Sequence, residues 1–192
     1  MQTERQIQII DESINLIAKK GIQGFTIKNL SKAIGISEPA IYRHFDSKTD
    51  ILTAILDNFM EMAKFLSEMM SESPMTAVEK ISFMFEKMVA IFTETPALVS
   101  VIFSEEIFKN ENILKNKIVE ILNMNETTVE NLLIKGQKNN EIRTDISEKT
   151  LALMTMGSLR LMVKRWSLGN YKFNLQKEGK VLIESIKTVL SK

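Results

Sequence analysis

Residues 26–52 read TIKNLSKAIGISEPAIYRHFDSKTDIL. The stretch is laid out as helix, turn, helix, turn and the start of a third helix. Thr26 stands where a side-chain oxygen caps a helix. Phe25 before it and Leu30 four residues after it have the spacing of a hydrophobic staple. Ile27, Leu30, Ala33 and Ile34 give that first helix, Ile27–Ile34, an apolar face, and Gly35 ends it. Ser37 repeats the cap, and Ile36 and Ile41 repeat the staple. Pro39 falls inside the first turn, where its missing N–H costs nothing. This second helix, 38–45, is barely two turns, and Asp46 and Ser47 break it. Ser47 followed by Asp50 resembles a capping box opening a longer helix, 48–70.

The short helix can be sorted into faces. Ile41 and Phe45, four apart, turn to the core. The outward positions then lie among Ser37, Glu38, Pro39, Ala40, Tyr42, Arg43 and His44. Two turns are too few to build an enzyme pocket. They fit the major groove of B-DNA, where the first residues of such a helix reach base edges. The small residues Ser37, Pro39 and Ala40 let its backbone approach closely. Tyr42, His44 and Lys48 can donate to phosphates, and the capped helix starts at Thr26 and Ser47 present N–H groups to anions. His44 is the only histidine in the chain. Read alone, it is a packing or surface residue. A catalytic role needs a partner base, acid or nucleophile at fixed geometry.

The same segment resembles the DNA-binding domain of the TetR family of bacterial transcriptional regulators. The resemblance rests on Thr26, on Ala33-Ile34-Gly35-Ile36-Ser37, on Ile41-Tyr42-Arg43-His44-Phe45, and on Ser47-Lys48-Thr49-Asp50-Ile51-Leu52. It covers about residues 5–60, with two mild departures. Thr49 stands where an acid is common, and Ile34 follows Ala33 where a small residue is usual. By this resemblance Thr26, Lys28, Ser37, Pro39, Ala40, Tyr42, Arg43, His44 and Lys48 face DNA. Tyr42, His44 and Lys48 are expected on phosphates. Pro39, Ala40 and Arg43 are expected at base edges, Arg43 against guanine. Glu38 either accepts from cytosine or stabilises its helix start.

The whole chain has 192 residues, with 44% apolar residues, 25 Lys+Arg against 24 Asp+Glu, and no cysteine. Near-zero net charge confines any basic patch to a local surface. Without cysteine there are no disulfides or thiolate metal sites, which fits a cytoplasmic protein. No signal-peptide pattern and no membrane span is evident. Seven glycines, three prolines and pervasive three- and four-residue apolar spacing predict an all-α protein. About nine helices are expected. A three-helix helix-turn-helix domain, 1–47, is joined through the long helix 48–70 to a helical bundle in 48–192. The first helix is placed at 4–20, with Gly21 as a left-handed cap. Later helices are placed at 75–94, 97–109, 112–139, 147–168 and 175–190.

The second region matches the family in layout only. Phe83, Met84, Phe85, Met88, Phe92, Phe103 and Phe108 form a Met- and Phe-rich run. It reads either as ordinary core or as an adaptable apolar pocket, taken to include Lys87 and Met154 as well. Lys87, Arg160 or Glu105 would supply a polar anchor, and nothing in the sequence selects among them. Glu105-Glu106 lacks the Glu-x-x-His partners of a di-metal bundle and reads as a solvated face. No cofactor is implied. Leu151, Met154, Ser158, Leu161, Met162 and Arg165 run along one late helix. Gly179, Leu182, Ile186, Val189 and Leu190 run along the last. Two such wide stripes are expected to form a four-helix seam across a twofold axis, the alternative being burial within one chain.

The expectation is therefore a homodimeric, non-enzymatic regulator, a repressor in such families. It binds a near-palindromic operator in double-stranded DNA and is released by a small, mostly apolar effector. Two other readings use the same bundle. One is a helical carrier or sensor of apolar molecules that does not bind DNA. The other is a DNA-binding dimer with no small-molecule ligand.

Overall fold

A computed structural model describes residues 2–103 and 111–192. The described residues form nine helices and no strand. These are α1 (Glu4–Gly24), α2 (Ile27–Ile34), α3 (Glu38–Tyr42), α4 (Lys48–Ser71), α5 (Ala77–Glu94), α6 (Pro96–Ile102), α7 (Asn112–Lys138), α8 (Glu148–Leu168) and α9 (Leu175–Leu190). The expected 97–109 helix is described only as far as α6. Phe108, Glu105 and Glu106 lie outside the described residues.

Local chemistry sets most of these boundaries. Thr3 and Gln6 form a capping box at the start of α1, and Thr76 and Glu79 form another at the start of α5. The α1 helix passes beyond Lys20. Gly21 takes φ 67 and ψ 176, a conformation open to glycine alone, and the helix resumes as far as Gly24. Gly21 is therefore a kink, where a left-handed cap was expected. Gly35 does adopt the left-handed cap, at φ 79 and ψ 31. The N–H groups of Gly35 and Ile36 both donate to the Ser31 carbonyl, at 2.9 and 3.0 Å, and close the helix end.

Two compact units result. The first contains Met1–Glu61 and Pro96–Glu120, the second Met62–Thr95 and Ile121–Lys192. In the first, α6 packs on α1, α1 on α2, and α2 on α3. Its core includes Ile9, Ile17, Phe25, Leu30, Ile41, Ile51, Ile55 and Val101. Lys117 of α7 bridges to Asp57 of α4 at 2.9 Å inside this unit. In the second, α9 lies against α5 and α8. A Cβ at Gly179 would come within 2.9 Å of Val89 Cγ1, so glycine there lets α9 seat closely on α5. Arg143 N–H donates to the Leu190 carbonyl at 3.0 Å and satisfies the end of α9. Among the described residues, no helix is long and apolar enough to cross a membrane.

Candidate nucleic-acid interface and the outer face of the second unit

The helix-turn-helix is held from below by apolar anchors. Phe25, Leu30 and Ile41 are fully buried. Thr26 Oγ1 accepts the Asn29 N–H at 3.1 Å and fixes the start of α2. Asn29 Nδ2 reaches back to the Gly24 carbonyl at 2.9 Å and ties α2 to the end of α1. Ser37 occupies the N-cap position of α3 in extended backbone, but its side chain makes no cap hydrogen bond. Its hydroxyl is exposed and open to an external acceptor.

The α3 helix is shorter than the expected 38–45. Both His44 N–H (2.9 Å) and Phe45 N–H (3.1 Å) donate to the Ile41 carbonyl. The first is a three-residue step that tightens the last turn and ends regular α-helix at Tyr42. The His44 carbonyl accepts from Gln6 Nε2 at 3.4 Å, linking this turn to α1. Ser47 Oγ accepts the Asp50 N–H at 3.1 Å and starts α4.

Around this frame Thr26, Lys28, Ser37, Pro39, Tyr42 and Arg43 are exposed, and Ala40, His44 and Lys48 are partly covered. Eight of the nine stand on α2, α3, their caps or the first residue of α4, and His44 stands in the turn just after α3, all within one unit. Tyr42 is a large side chain half open to solvent, with its ring unused by the core. Lys48 differs from the rest. Its Nζ donates to the Ile22 carbonyl at 3.3 Å and sits 5.2 Å from the centroid of the Phe25 ring. Burial holds this ammonium below its ordinary pKa, partly offset by the Glu111 carboxylate.

The residues expected to line an effector pocket are dispersed. Met84 and Phe92 are buried in the second unit, Phe103 in the first. Phe83 and Met88 are partly covered. Lys87 is exposed, with Nζ 5.1 Å from the centroid of the Phe83 ring, so it is no interior anchor. Met154 is exposed on α8 and points away from the core side of that helix. Sequence spacing grouped these residues by chain proximity, which does not fix which side of a helix each one takes.

The seam residues also divide. Leu151, Gly179, Ile186 and Leu190 are packed inside their own chain. Met154, Ser158, Leu161 and Arg165 are exposed, and Met162, Leu182 and Val189 are half-buried. The structure adds Leu153, Gly157, Leu168, Val181 and Ser185 to the outer face. Leu153 is 70% exposed, Leu161 61%, Leu168 72% and Val181 58%. The α8 helix is apolar on two opposite sides. Leu151, Thr155, Leu159, Val163 and Trp166 face inward, while Leu153, Gly157, Leu161 and Leu168 face outward. The four-residue steps 153-157-161 and 181-185-189 were the sequence signal for this face. They were masked because the inner stripe is equally apolar.

Two family descriptions match the chain. "Bacterial regulatory proteins, tetR family" matches residues 9–55, and "YsiA-like protein, C-terminal region" matches residues 56–188. A Bacillus subtilis protein named "Fatty acid metabolism regulator protein" is 24% identical over 173 residues, spanning 89% of this chain and 88% of its own. A "Nucleoid occlusion factor SlmA" from Glaesserella parasuis is 26% identical over 174 residues, spanning 89% and 85%. Among solved structures, the Bacillus subtilis transcriptional regulator FadR in complex with stearoyl-CoA superposes with a TM-score of 0.81. It is 23% identical, covering 96% of this chain and 98% of that one.

Proposed function

The chain belongs to the TetR family of bacterial regulatory proteins, and on that premise we propose that it is a homodimeric, cytoplasmic repressor whose effector is a long-chain acyl-CoA thioester. The single observation that carries the DNA-binding part is the arrangement of α2 and α3. Exposed Ser37, Pro39, Tyr42 and Arg43 stand on or beside the short α3, in a frame whose anchors, Phe25, Leu30 and Ile41, are fully buried. Such a frame presents a helix start to a major groove. Tyr42, His44 and the Ser37 hydroxyl meet phosphates, and Arg43 reads guanine. Thr26 and Lys28 meet the backbone beside them.

Dimerisation places the outer stripe of α8 and α9 against its twofold copy. A stripe of exposed leucines marks an interaction surface, and a twofold copy covers it with its own matching stripe. The two recognition helices would then meet successive major grooves about 34–36 Å apart. The effector class is supported by the fatty-acid regulator relative, by the stearoyl-CoA complex, and by the Met- and Phe-rich α5 of this chain. The ligand weakens operator binding only as far as its affinities for the two arrangements differ. No catalytic role is assigned to any residue, and His44 acts through the DNA-facing surface.

Fluorescence anisotropy of a selected operator duplex, with and without palmitoyl- or stearoyl-CoA, tests the reading. A loss of affinity at saturating acyl-CoA, absent with free CoA, is expected. Equal operator affinity with and without acyl-CoA removes the effector assignment and leaves a DNA-binding dimer without this ligand.

A further inference from the structure

The chain around the start of α1 is tied to two other elements of the first unit. Gln2 Nε2 donates to Asn58 Oδ1 of α4 at 2.8 Å, and Asn58 Nδ2 returns a bond to Gln2 Oε1 at 3.3 Å. About one turn later, Gln6 makes two different bonds with one amide. Its Oε1 accepts the Thr3 N–H at 3.0 Å and completes the capping box of α1. Its Nε2 donates to the His44 carbonyl at 3.4 Å, a long bond between residues 38 apart in sequence. Thr3 offers a donor and His44 an acceptor, so the two partners together fix which way the amide points. Either glutamate or glutamine completes a capping box at this place. Glutamine alone also donates to a carbonyl while it does so.

The turn that receives this bond lies at the end of α3. The His44 and Phe45 N–H groups converge on the Ile41 carbonyl, and regular helix stops at Tyr42. Buried Ile41 and partly covered Phe45 hold the core side of the turn. Arg43, the C-cap of α3, is exposed and directly precedes His44. Among the described residues, no second donor reaches the His44 carbonyl. The Gln6 amide is therefore the polar hold on the end of α3, and its own base is fixed by the cap of α1.

We propose that Gln6 is a positioning residue for base recognition: by holding the His44 carbonyl, one residue beyond Arg43, it sets the aim of the Arg43 side chain. The inference rests on the DNA-binding reading above.

The test measures base discrimination, the ratio of affinity for a duplex that the wild-type protein selects from a random pool to affinity for its single-base-pair variants. It uses wild type, Gln6→Glu, Gln6→Met and Thr3→Ala. Glutamate keeps the capping box and loses the donor. Methionine loses the donor without adding charge. Thr3→Ala breaks the capping box and leaves the Gln6 donor in place. Both Gln6 variants should lower discrimination by about threefold, at the base pair whose preference Arg43→Ala relaxes. Thr3→Ala should lower Tm by about 2–4 °C with discrimination unchanged. A ratio unchanged in Gln6→Met, with or without a loss in Gln6→Glu, overturns the proposal, since the lost donor would then have no effect of its own. The same loss of discrimination in Thr3→Ala also overturns it, because Gln6 would then act only through the stability of α1. A wild-type protein with no sequence preference overturns the DNA-binding reading and the positioning role together. That result is distinct from a wild-type ratio retained by the Gln6 variants.

Discussion

Replacing Leu161 with glutamate separates the two faces of α8. Leu161 is 61% exposed in the single chain, whereas Ile186 of α9 is 5% exposed. Fully burying a leucine contributes about 1.5–3 kcal/mol, so covering the exposed part of Leu161 contributes roughly 1–2 kcal/mol per protomer. A twofold seam contains the position twice. Glutamate removes that contribution and adds the cost of dehydrating two carboxylates. The dimer should weaken by at least about 3 kcal/mol, a rise in Kd of more than about a hundredfold. Sedimentation over a dilution series, with circular dichroism on the same samples, reads the outcome. Leu161→Glu should shift the dimer–monomer midpoint upward while helicity persists. Ile186→Glu buries a carboxylate beneath the same surface and should lower helicity and Tm at all concentrations. A Leu161→Glu dimer as tight as wild type, beside a folded monomeric Ile186→Glu, would reverse the assignment of faces.

Three further outcomes are expected. Gly35→Ala places a Cβ in open space and pays only for φ 79, about 1 kcal/mol, whereas Gly21→Ala at φ 67 and ψ 176 should cost visibly more; equal Tm losses would contradict the backbone argument. Hydrogen bonds from Thr76 hold the Glu79 carboxyl below its usual pKa. Its contribution is therefore present above the unfolded pKa and lost as pH falls through the folded one, so Glu79→Gln should flatten the decline of Tm on acidification, and an unchanged decline would remove this cap from the account. Tyr42→Ala should weaken binding to all duplexes alike, while Arg43→Ala should relax preference at one base position; a mismatch panel unchanged by Arg43→Ala would remove it from the base edges.

The helix-turn-helix was legible because its determinants are local. Thr26, Gly35 and Pro39 act within a turn or two, and their chemistry is the same in any surroundings. The end of α3 was less legible, since two N–H groups compete for the Ile41 carbonyl and the tighter turn wins. The contact that Lys48 makes within the chain was not legible for a different reason. Its partner, Ile22, lies 26 residues earlier, beyond a kink at Gly21 that sequence spacing read as a terminus. In the second unit, periodicity identified wide apolar helices but could not say which side faces inward. That choice depends on where α5 meets α9, with Val89 against Gly179. The pocket residues show the same limit, with Phe92 and Phe103 near in sequence but in separate units.

Sequence-specific DNA binding by α2 and α3 is read by titrating the protein against a duplex it selects from a random pool and a scrambled duplex of equal length over a salt series. Binding to the selected duplex should be tighter at every salt concentration, with affinity falling steeply and linearly on a log–log plot for both. Equal affinity for the two duplexes, or binding indifferent to salt, would contradict it.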